Sequence, residues 1–297
     1  MDSKRDSVIA VFDAVASCGE LSRAGISDMT GFSQVTVGKA VEILDGMGVL
    51  VQHKQSTGTA GRKAGLCRLE AGRGLLLFDL TGDKVCVRIC DIGLDIKKEY
   101  IASADVCEAF MSGFSDFVEI FGDGLAGIGC VVPGGKTENY REMLTGTVPF
   151  VPDLIIEADR AFGCANAFRF DVSGCWFSLR ISADGRVGGT LMYGSRPYTG
   201  AHALGGDLGR VIDGDDYIKR LIALCDLLDP ALVHIACDDE NTVSTVNADL
   251  TAAFAGMCDD NAPAAAVEAV CSCRDAPEGA ARVLRENYIV SKLANYS

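Results

Sequence analysis

Residues 21–63 read LSRAGISDMTGFSQVTVGKAVEILDGMGVLVQHKQSTGTAGRK, and this stretch decides the fold of the amino-terminal part. Ser22 can cap a helix that turns Ile26 and Met29 inward, and Thr30-Gly31-Phe32-Ser33 then makes a tight turn ending on a second N-cap serine. In the next helix Val37, Val41 and Leu44 fall at i, i+4 and i+7, a core stripe that leaves Gln34, Thr36 and Lys39 facing elsewhere. Two helices across a tight turn form a helix-turn-helix, whose second helix reaches base edges and phosphates with its first turns. Ser33, Gln34, Thr36 and Lys39 occupy those turns and are the expected DNA contacts. Gly38, a poor helix former, either has no functional meaning, as is usual for such glycines, or leaves room there for close approach to DNA.

After Gly48 the pattern changes. VLVQHK and LCRLE flank the turn-rich QSTGTAGRKAG, two short strands around a loop. Arg62 and Lys63 lie near the tip of this hairpin, where a wing places basic side chains in or beside the minor groove. Upstream, Val8, Val11, Phe12 and Val15 recur at helical spacing and stop at Cys18-Gly19. Residues 1–70 therefore predict a winged helix-turn-helix DNA-binding domain, with double-stranded operator DNA as partner.

Charge points to the same segment. The chain of 297 residues carries a formal net charge of -14, yet residues 1–70 hold as many Lys and Arg as Asp and Glu, so the rest carries the whole deficit. An acidic body repels phosphate, and nucleic-acid contact is confined to the amino-terminal part. No apolar leader opens the sequence and no run reaches the ~18 residues of a membrane helix, so a cytoplasmic protein with no membrane partner is expected. Thirteen cysteines, none in a C-x-x-C, read as reduced thiols. With His53, His202 and His234 as the only histidines, and Cys271 and Cys273 as the only close cysteine pair, no metal site is expected.

From Leu75 the chain alternates apolar strand runs, LLLFDL, KVCVRICDIGLDIKKEYI and LAGIGCVVPGG, with helical stretches near 105–121, 215–228, 241–257 and 277–293. The pattern repeats in the second half with CWFSLRISA and GGTLMYGS, predicting an α/β body, 71–297, with lobes of about 71–155 and 156–297. GCVVPGGKT, Gly129 to Thr137, imitates a phosphate-binding loop, but five residues rather than four separate its glycines and the following TENYREML is weakly apolar for a P-loop helix.

The chain resembles the ROK family of repressors, open reading frames and sugar kinases, in its repressor branch, typified by the N-acetylglucosamine and xylose repressors. Ser22-Arg23-Ala24, Thr30-Gly31-Phe32-Ser33, Thr36-Val37, Gly48-Val49-Leu50 and Ala60-Gly61-Arg62 carry that likeness. The body follows in order, with Asp79-Leu80-Thr81-Gly82 at the family's first phosphate loop, Val132-Pro133-Gly134, Glu157-Ala158-Asp159, Gly185 to Gly194 at its second loop, Gly205 to Arg210, Leu228-Asp229-Pro230 and Glu278-Gly279-Ala280-Ala281. The resemblance implies a two-lobed actin-like ATPase body of the ribonuclease H-like kind, a homodimer or dimer of dimers, and a sugar-like effector.

The departures are informative. Phosphate loops use glycine so that backbone N–H groups can approach an anion. Here Thr81 replaces a glycine, Asp83 a threonine and Val187 the middle glycine of the second loop. Asp159 stands at the family's catalytic base without its asparagine partner, Asp207 at its sugar-contacting glutamate and Arg210 at its zinc-binding histidine. Only 18 residues, Val211 to Leu228, lie where the zinc segment belongs. The expectation is a non-catalytic, shortened kinase-like body with no ATP or other cofactor, in which Asp159 and Asp207 mark a candidate effector cleft, attached to a repressor's DNA reader. Two competing readings are a sugar kinase acting on a hexose or amino sugar, and an oligomerisation scaffold without an effector.

Overall fold

The computed structural model describes residues 3–54, 65–148, 150–167, 170, 172, 174–182, 185–201, 205–212, 214, 216–237, 239–255, 266–271 and 275–296. The amino-terminal unit runs α1 (Ser3–Cys18), β1 (Glu20–Ser22), α2 (Arg23–Thr30), α3 (Gln34–Gly46), β2 (Leu50–Lys54) and β3 (Gly65–Leu69). The stripe residues Val37, Val41 and Leu44 are fully buried, against Val8, Val11, Phe12 and Val15 of α1 and Ile26 of α2. β2 and β3 pair antiparallel from Leu50↔Leu69 to Lys54↔Gly65, which is the base of a wing hairpin. Three details differ from the sequence reading. Glu20–Ser22 adds a short strand to β3. Met29 is 54% exposed, its sulfur lying against the Cys18 thiol. Gly38 is buried and faces the Arg23 guanidinium, so it shapes the contact between helices rather than an approach to DNA.

The body begins with β4 (Gly74–Asp79), β5 (Cys86–Asp91), β6 (Ile96–Ile101), α4 (Val106–Phe121), β7 (Leu125–Val132), α5 (Thr137–Thr147), β8 (Leu154–Glu157) and α6 (Ala158–Asn166). It continues with β9 (Cys175–Ile181), β10 (Val187–Tyr193), β11 (Arg196–Pro197), α7 (Gly209–Ile212), α8 (Tyr217–Leu228), β12 (Leu232–Cys237), α9 (Glu240–Ala255), β13 (Ala266–Cys271) and α10 (Ala276–Ala294). Two five-stranded sheets result, ordered β6-β5-β4-β7-β8 and β11-β10-β9-β12-β13. In each, the first three strands form an antiparallel meander and the last two run parallel to the first. One topology used twice is the two-lobed actin-like, ribonuclease H-like body. Hydrophobicity follows position: central β4 and β7 are apolar runs buried on both faces, whereas edge strand β6, IKKEYI, is exposed and charged, which protects the sheet edge. The stretch 137–147, weakly apolar by sequence, does form a helix, anchored by buried Leu144.

Sequence order assigns the closing helix to the second lobe, but α10 returns to the first. Ala276, Ala280, Ala281 and Leu284 pack with Leu75, Leu77 and Val131 of β4 and β7 and with Ala161 of α6. The crossing with α6 is so close that a Cβ on Gly279 would stand 1.6 Å from the Ala161 carbonyl oxygen. Beyond this crossing α10 leaves the sheet and enters the amino-terminal unit. Ile289 is part of that unit's core, with Tyr288 and Leu293 packed beside it. Gly46, the last residue of α3, has no room for a Cβ because the Tyr296 ring covers it. Arg285 bonds Asp13 of α1 at 2.8 Å, and Arg5 approaches Glu286 at 3.4 Å. The amino-terminal unit is thus completed and held by α10.

Candidate nucleic-acid interface and interlobe cleft

The N-terminus of α3 is built by its cap. The Ser33 hydroxyl accepts from the Thr36 N–H at 3.2 Å and shares a hydrogen bond with the Thr36 hydroxyl at 3.0 Å, which satisfies one of the helix's open donors. Ser33, Gln34 and Lys39 are exposed and Thr36 is half-buried, so the four expected contacts lie on one open end of one helix. Val35, not singled out by sequence, is 70% exposed beside Gln34. Its position two residues before Val37, about 200° around the helix, is the signal that takes it off the core stripe. A polar side chain, an apolar one and a cation side by side match the donors, acceptors and thymine methyls of a major groove.

The acids of α3 sit at its other end and are engaged there. Arg23 donates to Gln52 at 2.8 Å and lies 3.9 Å from Glu42, and Gln52 in turn donates to Asp45 at 3.0 Å. This network ties α2, α3 and β2 together and turns their negative charge away from the N-terminal turns. Arg68 is exposed on β3 opposite Glu20. Arg62 and Lys63, the expected wing contacts, lie outside the described residues, as do His202 and Cys273.

Between the lobes, a cavity of about 690 Å³ brings together Asp159 at the start of α6 and Asp207 beyond β11, with Thr81, Arg180, Arg186 and Arg210. The two acids named by sequence therefore share one cleft. Asp207 is held by a backbone bridge to Thr190 and pairs with Arg210 at 2.8 Å. Burial, and then the charge of Asp207, push the Asp159 carboxyl above the usual range, while the Gly189 N–H donates to it. A group of this kind can take a proton or hold a hydroxyl.

The loops around the cleft are occupied by the protein's own carboxylates. Asp79 accepts from the Thr81 N–H at 2.9 Å and from its hydroxyl at 2.6 Å. In the loop that imitates a Walker motif, Glu157 accepts from the Gly135 N–H at 3.0 Å and the Thr137 hydroxyl at 3.2 Å. Val187 is a buried core residue of the second sheet. His234 is buried on β12 beside the rings of Phe162 and Phe170.

No known protein-family profile matches the sequence, and neither does any curated protein. Solved structures do match. A ROK family transcriptional regulator, a homologue of the E. coli MLC protein, aligns over 98% of this chain and 99% of its own at 12% identity, with a TM-score of 0.67. This is the ROK fold. A ROK family protein from Streptococcus pneumoniae in complex with sucrose aligns over 73% of this chain and 98% of its own, at 13% identity and a TM-score of 0.54. The ROK hexokinase from Thermus thermophilus aligns over 71% of this chain and 97% of its own, at 14% identity and a TM-score of 0.54. The ROK regulator thus spans the amino-terminal unit and the body together, and the ROK hexokinase less than three quarters of the chain. No helix among the described residues is long and apolar enough to cross a membrane.

Proposed function

We propose that the chain is a DNA-binding transcriptional regulator, a repressor of ROK type, whose residues 1–70 read operator DNA. The body pairs with a second copy and carries the effector signal without transferring phosphoryl groups. The observation that carries this reading is the capped, open end of α3, where Gln34, Val35 and Lys39 are exposed together on a chain whose body is acidic. Likeness to a ROK regulator across 98% of the chain supports it. A non-catalytic body is supported by Thr81 and Val187, which stand where phosphate loops use glycine, and by Asp83, which puts a negative charge in place of a threonine.

Selection of bound fragments from genomic DNA at low salt tests the reading. The expected result is a two-fold symmetric site with half-sites one or two helical turns apart, bound by a dimer. Binding should weaken steeply with salt as counterions are released. Failure to retain any specific fragment at low salt overturns the proposal. Consumption of ATP with a hexose or amino sugar, abolished by Asp159→Asn, would establish the kinase instead.

A further inference from the structure

Where α1 meets α10 and β5, the structure forms a second cavity, of about 640 Å³ and open to solvent on one side. It shares no lining residue with the interlobe cleft and has the volume of a small-molecule site. Three arginines, Arg88, Arg282 and Arg285, and three acids, Asp13, Asp275 and Glu278, line it. Arg88 is clasped between Glu99 at 2.6 Å and Asp275 at 2.7 Å, and Arg282 is held by Glu278 at 2.9 Å.

Arg285 is different. Its side chain is only 6% exposed and its guanidinium lies over the Phe12 ring at 5.1 Å. Its one hydrogen-bond partner among the described residues is a single oxygen of Asp13. A guanidinium has five N–H donors in a planar fork that fits a carboxylate at two points, so most of its capacity is left for whatever fills the cavity. The donors that Asp13 does not take face the cavity, where a ligand carboxylate can meet them.

We propose that this cavity binds a small polyhydroxylated monocarboxylate, a sugar acid or hydroxy acid, whose carboxylate pairs with Arg285 and displaces Asp13, loosening the reader from the body. The charge of the lining decides the class. With Glu99, which also pairs with Arg88, three cations face four acids, so a monoanion that takes the place of Asp13 leaves the balance unchanged, whereas a phosphate dianion adds negative charge. Ser17 and the polar lining around Arg88 and Arg282 suit the ligand's hydroxyls, which an apolar acid lacks. Binding itself is independent of the chain's function; the release of the reader rests on the DNA-binding reading above.

Calorimetric titration of the full chain with D-gluconate and D-glucuronate, against D-glucose and glucose 6-phosphate, tests the site without DNA. The expected result is binding of the acids at least tenfold tighter than that of the neutral sugar or the phosphate. Arg285→Lys, which keeps the charge and removes the fork, should weaken the acids at least tenfold. Asp13→Asn should tighten them severalfold by removing their competitor. Should Arg285→Lys fail to fold, Arg282→Gln at the cavity rim and Asp13→Asn carry the test. No preference for the acids, or acid binding that survives Arg285→Lys and falls with Arg210→Ala, overturns the proposal. Retention of selected DNA is then measured with and without gluconate. Acid binding that leaves DNA affinity unchanged overturns the release step alone, and failure to bind DNA at all overturns the regulator reading while the calorimetric result stands.

Discussion

Arg285 and Asp13 meet at 2.8 Å although 272 residues of chain separate them, one in the last helix and the other in the first. Burial pushes the Asp13 carboxyl up against the pull of Arg285, and burial likewise lowers the Arg285 guanidinium against the pull of Asp13. For both partners burial is the largest influence, so removing one of them strands the other's charge where water screens it poorly. Asp13→Ala alone, leaving a buried guanidinium unpaired, should cost about 3 kcal/mol in urea unfolding, and the apolar double change Asp13→Leu with Arg285→Met should recover most of it.

Asp159 makes stability depend on pH in a defined direction. Its folded carboxyl is raised by burial and by Asp207. Between the ordinary carboxylate range and that raised value, the folded state holds a proton that the unfolded state releases, so stability falls as pH rises through the window. Asp159→Asn should therefore melt higher than the parent at pH 7.5, with the difference shrinking toward pH 4.

Asp275 should show the opposite sign. Burial works against its charge, but the Arg88 hydrogen bonds and the Glu278 N–H prevail and hold its carboxyl below the usual range. Its contribution is present at neutral pH and lost on acidification. Asp275→Asn should lower the melting temperature at pH 7, with the difference shrinking as acid protonates the folded Asp275.

On α3, base contacts and phosphate contacts separate by experiment. Lys39→Ala should weaken all DNA sequences alike and reduce the slope of log affinity against log salt by about 1. Gln34→Ala should relax preference at one base pair by about 1–3 kcal/mol. Ser33→Ala, which removes the cap, should cost about 1 kcal/mol of folding stability. Competitive binding to a randomised site library distinguishes the three.

At the α10–α6 crossing, Gly279→Val puts side-chain atoms where the Ala161 carbonyl lies. The helices must part, at a cost of roughly 3 kcal/mol, the upper end of overpacking. Because α10 also completes the reader's core, the variant should lose DNA retention together with thermal stability, seen by fluorescence melts and gel shift.

Periodicity made α3 readable, because Val37, Val41 and Leu44 repeat on one face and Ser33 supplies a cap. The two sheets were legible as apolar runs, and Asp159 and Asp207 were placed in one cleft by resemblance alone. Local pattern carries no information about partners distant in sequence. Met29 was read as inward because α2 is too short, Arg23–Thr30, for two turns to settle its face. β1 has three residues, fewer than any alternation needs, and exists because Leu66–Arg68 offers it a ladder. The 137–147 helix hides behind a single buried leucine. The cavity around Arg285 was not visible either, since its walls come from α1, β5 and α10, and only folding brings them together.

The dependence of the reader on α10 has a consequence for biosynthesis. Ile289 enters a core whose other helices lie among the first 46 residues. At ribosomal rates of about 5–20 residues per second, roughly 10–45 seconds pass between the emergence of the wing and that of the helix that finishes the domain. A nascent or prematurely ended chain therefore carries an unfinished reader. The amino-terminal core is closed only after Ile289 has been made, long after the helices it packs against.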